Sequence, residues 1–233
     1  VVEIGIPFSD PIADGPVIAS AMHDAIARGA TPKAMFAEIA QARPLCNIGI
    51  VAMVSMSIVY RLSSSPGSPW SPNAFINAAK DAGIDGLIVP DAPLEEAQAL
   101  SAAAKTAGLS YSHLIAPTTP PARIEALAQA STGFVYVLAR VGITGTQSSL
   151  PDIAPLVARV RQATQLPIAV GFGISTAEHV SKVVATADAA IIGSALVKVM
   201  READDEHRDA VQAAAEFVKN LSAGLPPAAL ATN

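Results

Sequence analysis

Short apolar runs recur along the chain, rich in β-branched residues or Leu and mostly closed by Gly, Pro, Ser or Asp: Val1–Pro7, Ile48–Ser55, Gly86–Asp91, Ser110–Ala116, Phe134–Ala139, Pro167–Gly173 and Ala189–Gly193. Their apolarity is continuous rather than alternating, as in parallel strands covered on both faces. Between them, Pro32–Ala42, Ser71–Ala82, Leu94–Ala107, Pro120–Ala130, Ile153–Ala163 and Thr176–Ala185 place apolar residues three and four apart, the spacing of an amphipathic helix. Thr31-Pro32, Ser71-Pro72 and Ser175-Thr176 set a capping hydroxyl ahead of a helix, and Gly83 and Gly108 stand where helix-ending glycines belong. After the last strand Ala195–Ala223 is mostly helical, with a solvated acidic turn at Glu202–Glu206. Leu225–Asn233 reads as a frayed tail, and Ser63–Pro72, rich in Ser and Pro and holding the only Trp, as a flexible surface insertion.

Strand and helix therefore alternate through nearly the whole chain, the pattern of a (β/α) barrel or a doubly wound sheet. The runs supply seven strands where a barrel has eight, and the chain opens in mid-strand without an initiator Met. The expectation is a single α/β domain over residues 1–223, a TIM (β/α)8 barrel lacking its first βα unit, followed by a flexible tail at 224–233.

Composition narrows this further. The residues are 51% hydrophobic but only 4% aromatic, so the core is built from Ala, Val, Ile and Leu. A formal charge of −5 with scattered basic residues excludes a nucleic-acid or anionic-membrane surface. The single Cys46 excludes an internal disulfide framework and a Cys-rich metal site, and suits a reducing cytoplasm. No apolar run approaches the ~18 residues of a spanning helix. His23, His113, His179 and His207 show no metal-ligand spacing; His23, His179 and His207 fit helical surfaces, and His113 reads as a satisfied strand histidine.

Two acids stand out near the start. Glu3 lies inside the apolar run Val1–Ile6, where a carboxylate is costly to bury unless it is paired, hydrogen-bonded or used. Asp14 follows in a loop dense with Pro and Gly. Two carboxyl groups of different pKa can divide acid and base work between them. Glycine turns follow three late strands: Gly142-Ile143-Thr144-Gly145, Gly171-Phe172-Gly173-Ile174-Ser175 and Gly193-Ser194-Ala195. Glycine lets backbone approach an anion closely, and helix N-termini offer it unpaired N–H groups, so these turns point to a phosphate. No Gly-x-x-x-x-Gly-Lys loop, and no Gly-x-Gly-x-x-Gly after the first strand, supports nucleotide binding.

Glu3 through Pro16 (with Pro7-Phe8-Ser9-Asp10-Pro11 and Ala13-Asp14-Gly15-Pro16), Val89-Pro90-Asp91-Ala92-Pro93, Ala116-Pro117-Thr118-Thr119, Tyr136 through Gly145, Gly171-Phe172-Gly173 and Gly193-Ser194 together resemble the alpha chain of tryptophan synthase, in the family's order and from Val1 to about Lys219. The resemblance implies a lyase that splits indole-3-glycerol phosphate into indole and glyceraldehyde 3-phosphate without metal or organic cofactor of its own. It implies Glu3 as the acid–base residue and Asp14 as the partner of the indole N–H. Tyr136, Thr144, Gly145, Phe172, Gly173, Gly193 and Ser194 would bind substrate, the last five as its phosphate cradle. The implied partner is a beta chain carrying pyridoxal phosphate, in an α2β2 complex, with Ser55–Tyr60 and Asp91–Pro93 facing it. Relatives commonly carry Tyr and Asn where this chain has Ser55 and Ser57, and serine where it has Ala139 and Val141. A second reading is a non-catalytic subunit that only binds and activates the beta chain.

Overall fold

The computed structural model describes residues 1–11, 14–64, 69–140, 142 and 151–227. Among them the elements run β1 (Val2–Gly5), α1 (Pro16–Ala27), α2 (Pro32–Ala42), β2 (Ile50–Met53), α3 (Met56–Ser63), α4 (Asn73–Asp81), β3 (Gly86–Ile88), α5 (Leu94–Ala107), β4 (Ser110–Ser112), β5 (Leu114–Ile115), α6 (Pro121–Ala130), β6 (Val135–Leu138), α7 (Ala154–Ala163), β7 (Ile168–Gly171), α8 (Ala177–Val184), β8 (Ala189–Ala190), α9 (Ser194–Asp205) and α10 (Ala210–Ser222). The strands form two four-stranded sheets, ordered β1-β2-β3-β4 and β5-β6-β7-β8, and the chain divides into two compact units built on them.

All seven expected strands are present, one of them broken. Ser110–Ala116 gives β4 to the first sheet and β5 to the second, with His113 between. The break has a local cause, because hydroxyl groups take backbone donors that a neighbouring strand would otherwise use. Tyr111 N–H donates to Thr132 Oγ1 (2.9 Å) and His113 N–H to Ser131 Oγ (3.1 Å). Two helices went unforeseen. α1 (whose apolar pairs Val17-Ile18, Ala21-Met22 and Ala25-Ile26 recur four apart) has no fully buried residue, while α3 begins at Met56 inside a segment that reads as strand and loop. The acidic cluster is also more helical than expected, since α9 runs through to Asp205.

In the first unit, β1, β2 and β3 pair in parallel with Glu3 opposite Val51 and Val51 opposite Gly86. Gly86 in turn stands opposite Ser110, where a Cβ would lie 2.0 Å from Ser110 Oγ. A larger residue there would have to turn the Ser110 hydroxyl aside. Ile50, Ala52, Val54, Leu87 and Tyr111 belong to one core with Phe36 and Ile39 of α2, Phe75 and Ile76 of α4 and Leu100 of α5. The rings of Phe36 and Phe75 meet at 5.8 Å. Trp70 also returns to this unit, its ring 4.6 Å from that of Tyr60 on α3.

Each sheet is locked at the start of one strand by the same device. Arg43, just after α2, donates to the Ile48 carbonyl at 2.8 Å and to Asp85 at 3.1 Å. The Asp85 carboxylate accepts the Ile50 N–H at 2.8 Å, and Asp85 N–H donates back to the Ile50 carbonyl at 2.8 Å. In the second unit Arg161, in the last turn of α7, donates to the Leu166 carbonyl at 3.2 Å and to Asp188. Asp188 accepts the Ile168 N–H at 2.7 Å and donates its own N–H to the Ile168 carbonyl at 2.9 Å. In both cases a guanidinium holds the segment leading into one strand against the carboxylate that precedes the next.

Partial burial opposes ionisation of Asp188, but the hydrogen bonds from Arg161 and Ile168 N–H and the guanidinium charge outweigh it and hold the carboxyl below its ordinary range. A carboxyl with a depressed folded-state pKa contributes stability above its unfolded pKa, and that contribution is lost as pH falls through the folded value. The pair is half-exposed, so the ionic part is modest. Asp188→Asn is expected to lower unfolding stability by about 1–2 kcal/mol at neutral pH. Urea melts should show that loss shrinking once pH drops below about 4, the ordinary carboxyl range, and disappearing as pH passes through the lower folded-state value.

Candidate active site

Glu3 belongs to the first unit; Asp14, Tyr136, Phe172, Gly173, Gly193 and Ser194 belong to the second. Thr144 and Gly145 lie outside the described residues. Glu3 departs from the buried acid suggested by its apolar surroundings. β1 is the edge strand of its sheet, and its burial alternates: Val2 and Ile4 pack on the core, while Glu3 and Gly5 on the other face are exposed. An edge strand is covered on one face only here, so a carboxylate can stand in an apolar run without a desolvation cost.

Beyond β1, the chain is tied back by His23 of α1, whose Nε2 lies 2.9 Å from the Ser9 carbonyl. Next to β1 in the sheet, the end of β2 is pinned from β3. Asp91 accepts the Ser55 hydroxyl at 2.7 Å and the Met56 N–H at 2.8 Å, and Ser55 Oγ accepts the Ser57 N–H at 3.2 Å. Asp91 therefore caps α3 from a neighbouring loop and places its negative charge at a helix N-terminus, where it is favoured. Burial first, and then the Asp91 charge, push the Tyr111 phenol far above its ordinary pKa, so it stays protonated.

The second unit gathers the late turns. β7 and β8 pair in parallel, Ala169 with Ala189 and Val170 with Ala190, and Ile191 N–H extends the ladder to the Val170 carbonyl at 2.7 Å. Parallel neighbours end on the same side, so the turn after β7 and the start of α9 emerge together. In that turn Phe172 has φ 81° and Gly173 φ 90°. A bulky residue in the left-handed region is strained by about 1–3 kcal/mol and persists only where its surroundings hold it. Gly193 precedes α9 with open space where a Cβ would stand. Its carbonyl takes the Leu196 and Val197 N–H groups, and no side chain caps the helix start, where buried Ser194 is the first residue. Leading N–H groups of a helix have no intrahelical acceptor and favour an anion.

Tyr136 on β6 is buried against β7: a Cβ on Gly171 would lie 2.4 Å from the phenol oxygen and 2.9 Å from the ring. Ala139 N–H donates to the Gly171 carbonyl at 2.8 Å. Gly171 thus gives the tyrosine ring its seat beside the Phe172 turn. Asp14 is half-buried two residues before α1, and the Gly15 carbonyl next to it accepts Ala19 N–H at 2.9 Å.

The family model of the tryptophan synthase alpha chain matches residues 1–226. The chain belongs to the tryptophan synthase alpha chain family. It is 42% identical over 204 residues to the tryptophan synthase alpha chain of a Synechococcus, covering 87% of this chain and 73% of that one. Among solved structures it is similar to tryptophan synthase subunit alpha from Legionella pneumophila, with TM-score 0.82 and 30% identity over 96% of this chain and 80% of that one. It is likewise similar to Mycobacterium tuberculosis tryptophan synthase, with TM-score 0.82 and 33% identity over 95% and 79% of the two chains. The fold is that of the (β/α)8 barrel, with β4 and β5 sharing one of the seven strand positions present. Tryptophan synthase alpha chains are lyases that release indole from indole-3-glycerol phosphate, and the pyridoxal phosphate belongs to their beta-chain partner. Among the described residues, no helix is long and apolar enough to cross a membrane.

In this member of the family, His179 departs from the surface position expected of it. Only 6% exposed on α8, it is among the buried polar residues, whereas His23 and His207 are exposed as expected. Lys182 and Lys198 are surface helix charges, paired with Glu178 and Glu202. The seat of Tyr136 gives a direct check on the site's packing. Gly171→Ala is expected to destabilise the protein by about 1–3 kcal/mol through overpacking in urea titration. In the Gly171→Ala, Tyr136→Leu double variant most of that loss should return, a coupling that independent sites would not show.

Proposed function

We propose that this chain cleaves indole-3-glycerol phosphate into indole and glyceraldehyde 3-phosphate in the cytoplasm and passes the indole to a beta chain that condenses it using pyridoxal phosphate. Glu3 acts as the acid and base. As acid it protonates the indole carbon that bears the glycerol phosphate chain. Asp14 accepts the hydrogen bond of the indole N–H and stabilises the positive charge that protonation creates on the ring. The carbon–carbon bond then breaks and its electron pair returns to the ring, neutralising that charge. The hydroxyl on the departing carbon gives up its proton and becomes the aldehyde, and the deprotonated Glu3 takes that proton back, so the cycle consumes none.

Tyr136 lines the substrate pocket, with Thr144 closing over it and helping to position Asp14. The phosphate is cradled by Gly145, Phe172, Gly173, Gly193 and Ser194. The observation that carries this reading is the emergence, side by side from parallel β7 and β8, of a left-handed Phe172-Gly173 turn and an uncapped helix start at Gly193-Ser194. An anion there meets backbone N–H groups and the positive end of α9. The exposed Glu3 fits a group that must exchange protons with a substrate rather than stay sealed in a core. Ser55, held by Asp91, leaves the neighbouring pocket wall smaller than a tyrosine would make it.

Glu3→Gln keeps the side chain's size and removes its titration. Indole release from indole-3-glycerol phosphate, assayed with and without a beta chain, is expected to fall by about 10²–10⁴-fold while binding of the beta chain survives. A chain that served only to activate its partner would lose neither property.

A further inference from the structure

We infer that His179 is a positioning residue for the phosphate cradle, holding the Phe172–Ser175 turn in its strained form through the Ser175 backbone; the inference rests on the cradle assignment proposed above. The Nδ1 of His179 accepts the Ser175 N–H at 3.4 Å, and the His179 N–H donates to Thr176 Oγ1 at 3.2 Å. An Nδ1 that accepts is the unprotonated nitrogen of the ring. The two bonds are reciprocal: the hydroxyl ahead of α8 caps the helix, and the side chain in the first turn reaches back to the incoming chain. That is the logic of a capping box, with an imidazole where Glu or Gln usually serves.

Each end of the turn is fixed. On its near side Gly171 lies in β7 under the Tyr136 ring. On its far side Ile174 is buried and Ser175 is tied to the imidazole. Between them stand the left-handed Phe172 and Gly173, a conformation that relaxes unless the flanks hold it. The imidazole is itself held firmly. It is buried on α8, and the first turn of that helix rests on Gly224 just beyond α10, where a Cβ would come 2.1 Å from the Ala177 carbonyl. A buried histidine that meets no catalytic need is thereby explained: it transmits the rigidity of the α8 start to the loop that grips the anion.

The test compares steady-state indole release by His179→Phe, which keeps the ring and removes the acceptor, with His179→Asn, whose Oδ1 takes the place of Nδ1. His179→Phe should raise KM for indole-3-glycerol phosphate about tenfold, the worth of one hydrogen bond, with kcat within about twofold. Inhibition by inorganic phosphate should weaken in parallel, and His179→Asn should return both values to near wild type. Should His179→Phe fail to accumulate as folded protein, His179→Leu decides: it is smaller, stays apolar in the buried site and equally lacks an acceptor, so KM must rise. An unchanged KM, or equal impairment of the Phe and Asn variants, overturns the inference. Ser194→Asp, which puts a carboxylate in the cradle, separates the two levels. If Ser194→Asp raises KM while His179→Phe does not, the cradle stands and the role of His179 is wrong; if neither raises it, the cradle assignment itself has failed.

Discussion

Two guanidinium–carboxylate clamps, Arg43 on Asp85 and Arg161 on Asp188, set where strands β2 and β7 begin, and much else follows from that register. Each carboxylate receives a backbone N–H from the first residue of a strand and returns its own N–H to that residue's carbonyl. Short strands have few ladder bonds to specify pairing. A one-residue slip would turn every side chain to the opposite face. A polar lock at the strand's entry removes that freedom at little cost, because the groups involved stay half-exposed and need not be desolvated fully. The same arrangement occurs in both units, so each sheet carries a lock.

In the second unit the lock sits before the strands, while the candidate phosphate site follows them. The Phe172-Gly173 turn after β7 and the Gly193-Ser194 start of α9 lie beyond β7 and β8, whose pairing is fixed at the other end by Arg161 and Asp188. This division is general in α/β barrels, where one end of the strands serves stability and the other serves catalysis. It lets the second end tolerate strain. A phenylalanine at φ 81° followed by a glycine at φ 90° would not survive in a segment that also had to set register. The strain is carried by neighbours: Tyr136 over Gly171 on one flank, and the buried His179 on the other.

Asp91 shows how a single carboxylate can be structural and still bear on function. It caps α3 and holds Ser55, so the end of β2, the start of α3 and the loop after β3 form one unit of hydrogen bonds. In the tryptophan synthase alpha family this is the region that resemblance assigns to the beta-chain interface. A helix whose first turn is tied to a neighbouring strand end moves with that strand rather than by itself.

Much of this was legible in the residues. Short apolar runs closed by turn residues and separated by helical spacing read as strands, so all seven strand positions followed from local pattern, as did the caps at Thr31 and Thr176 and the left-handed Gly108 after α5. The order of motifs from Glu3 to Ser194 led to the family. Pattern failed where long-range partners decide. α1 packs no buried residue, and α3 owes its start to a carboxylate that lies thirty-five positions away from Met56 in sequence. Glu3 reads as buried because its neighbours are apolar, yet its exposure depends on which strand forms the edge of the sheet. His179 reads as a surface residue because its helix is short and its neighbours are charged, yet the packing of α8 buries it. The sequence alone determined the alternation of elements, the family and the set of candidate site residues, since these depend on local periodicity and residue type. The tertiary structure alone decided which of those groups are exposed, which are strained and which hold others in place, because such properties arise from contacts between segments far apart in the chain.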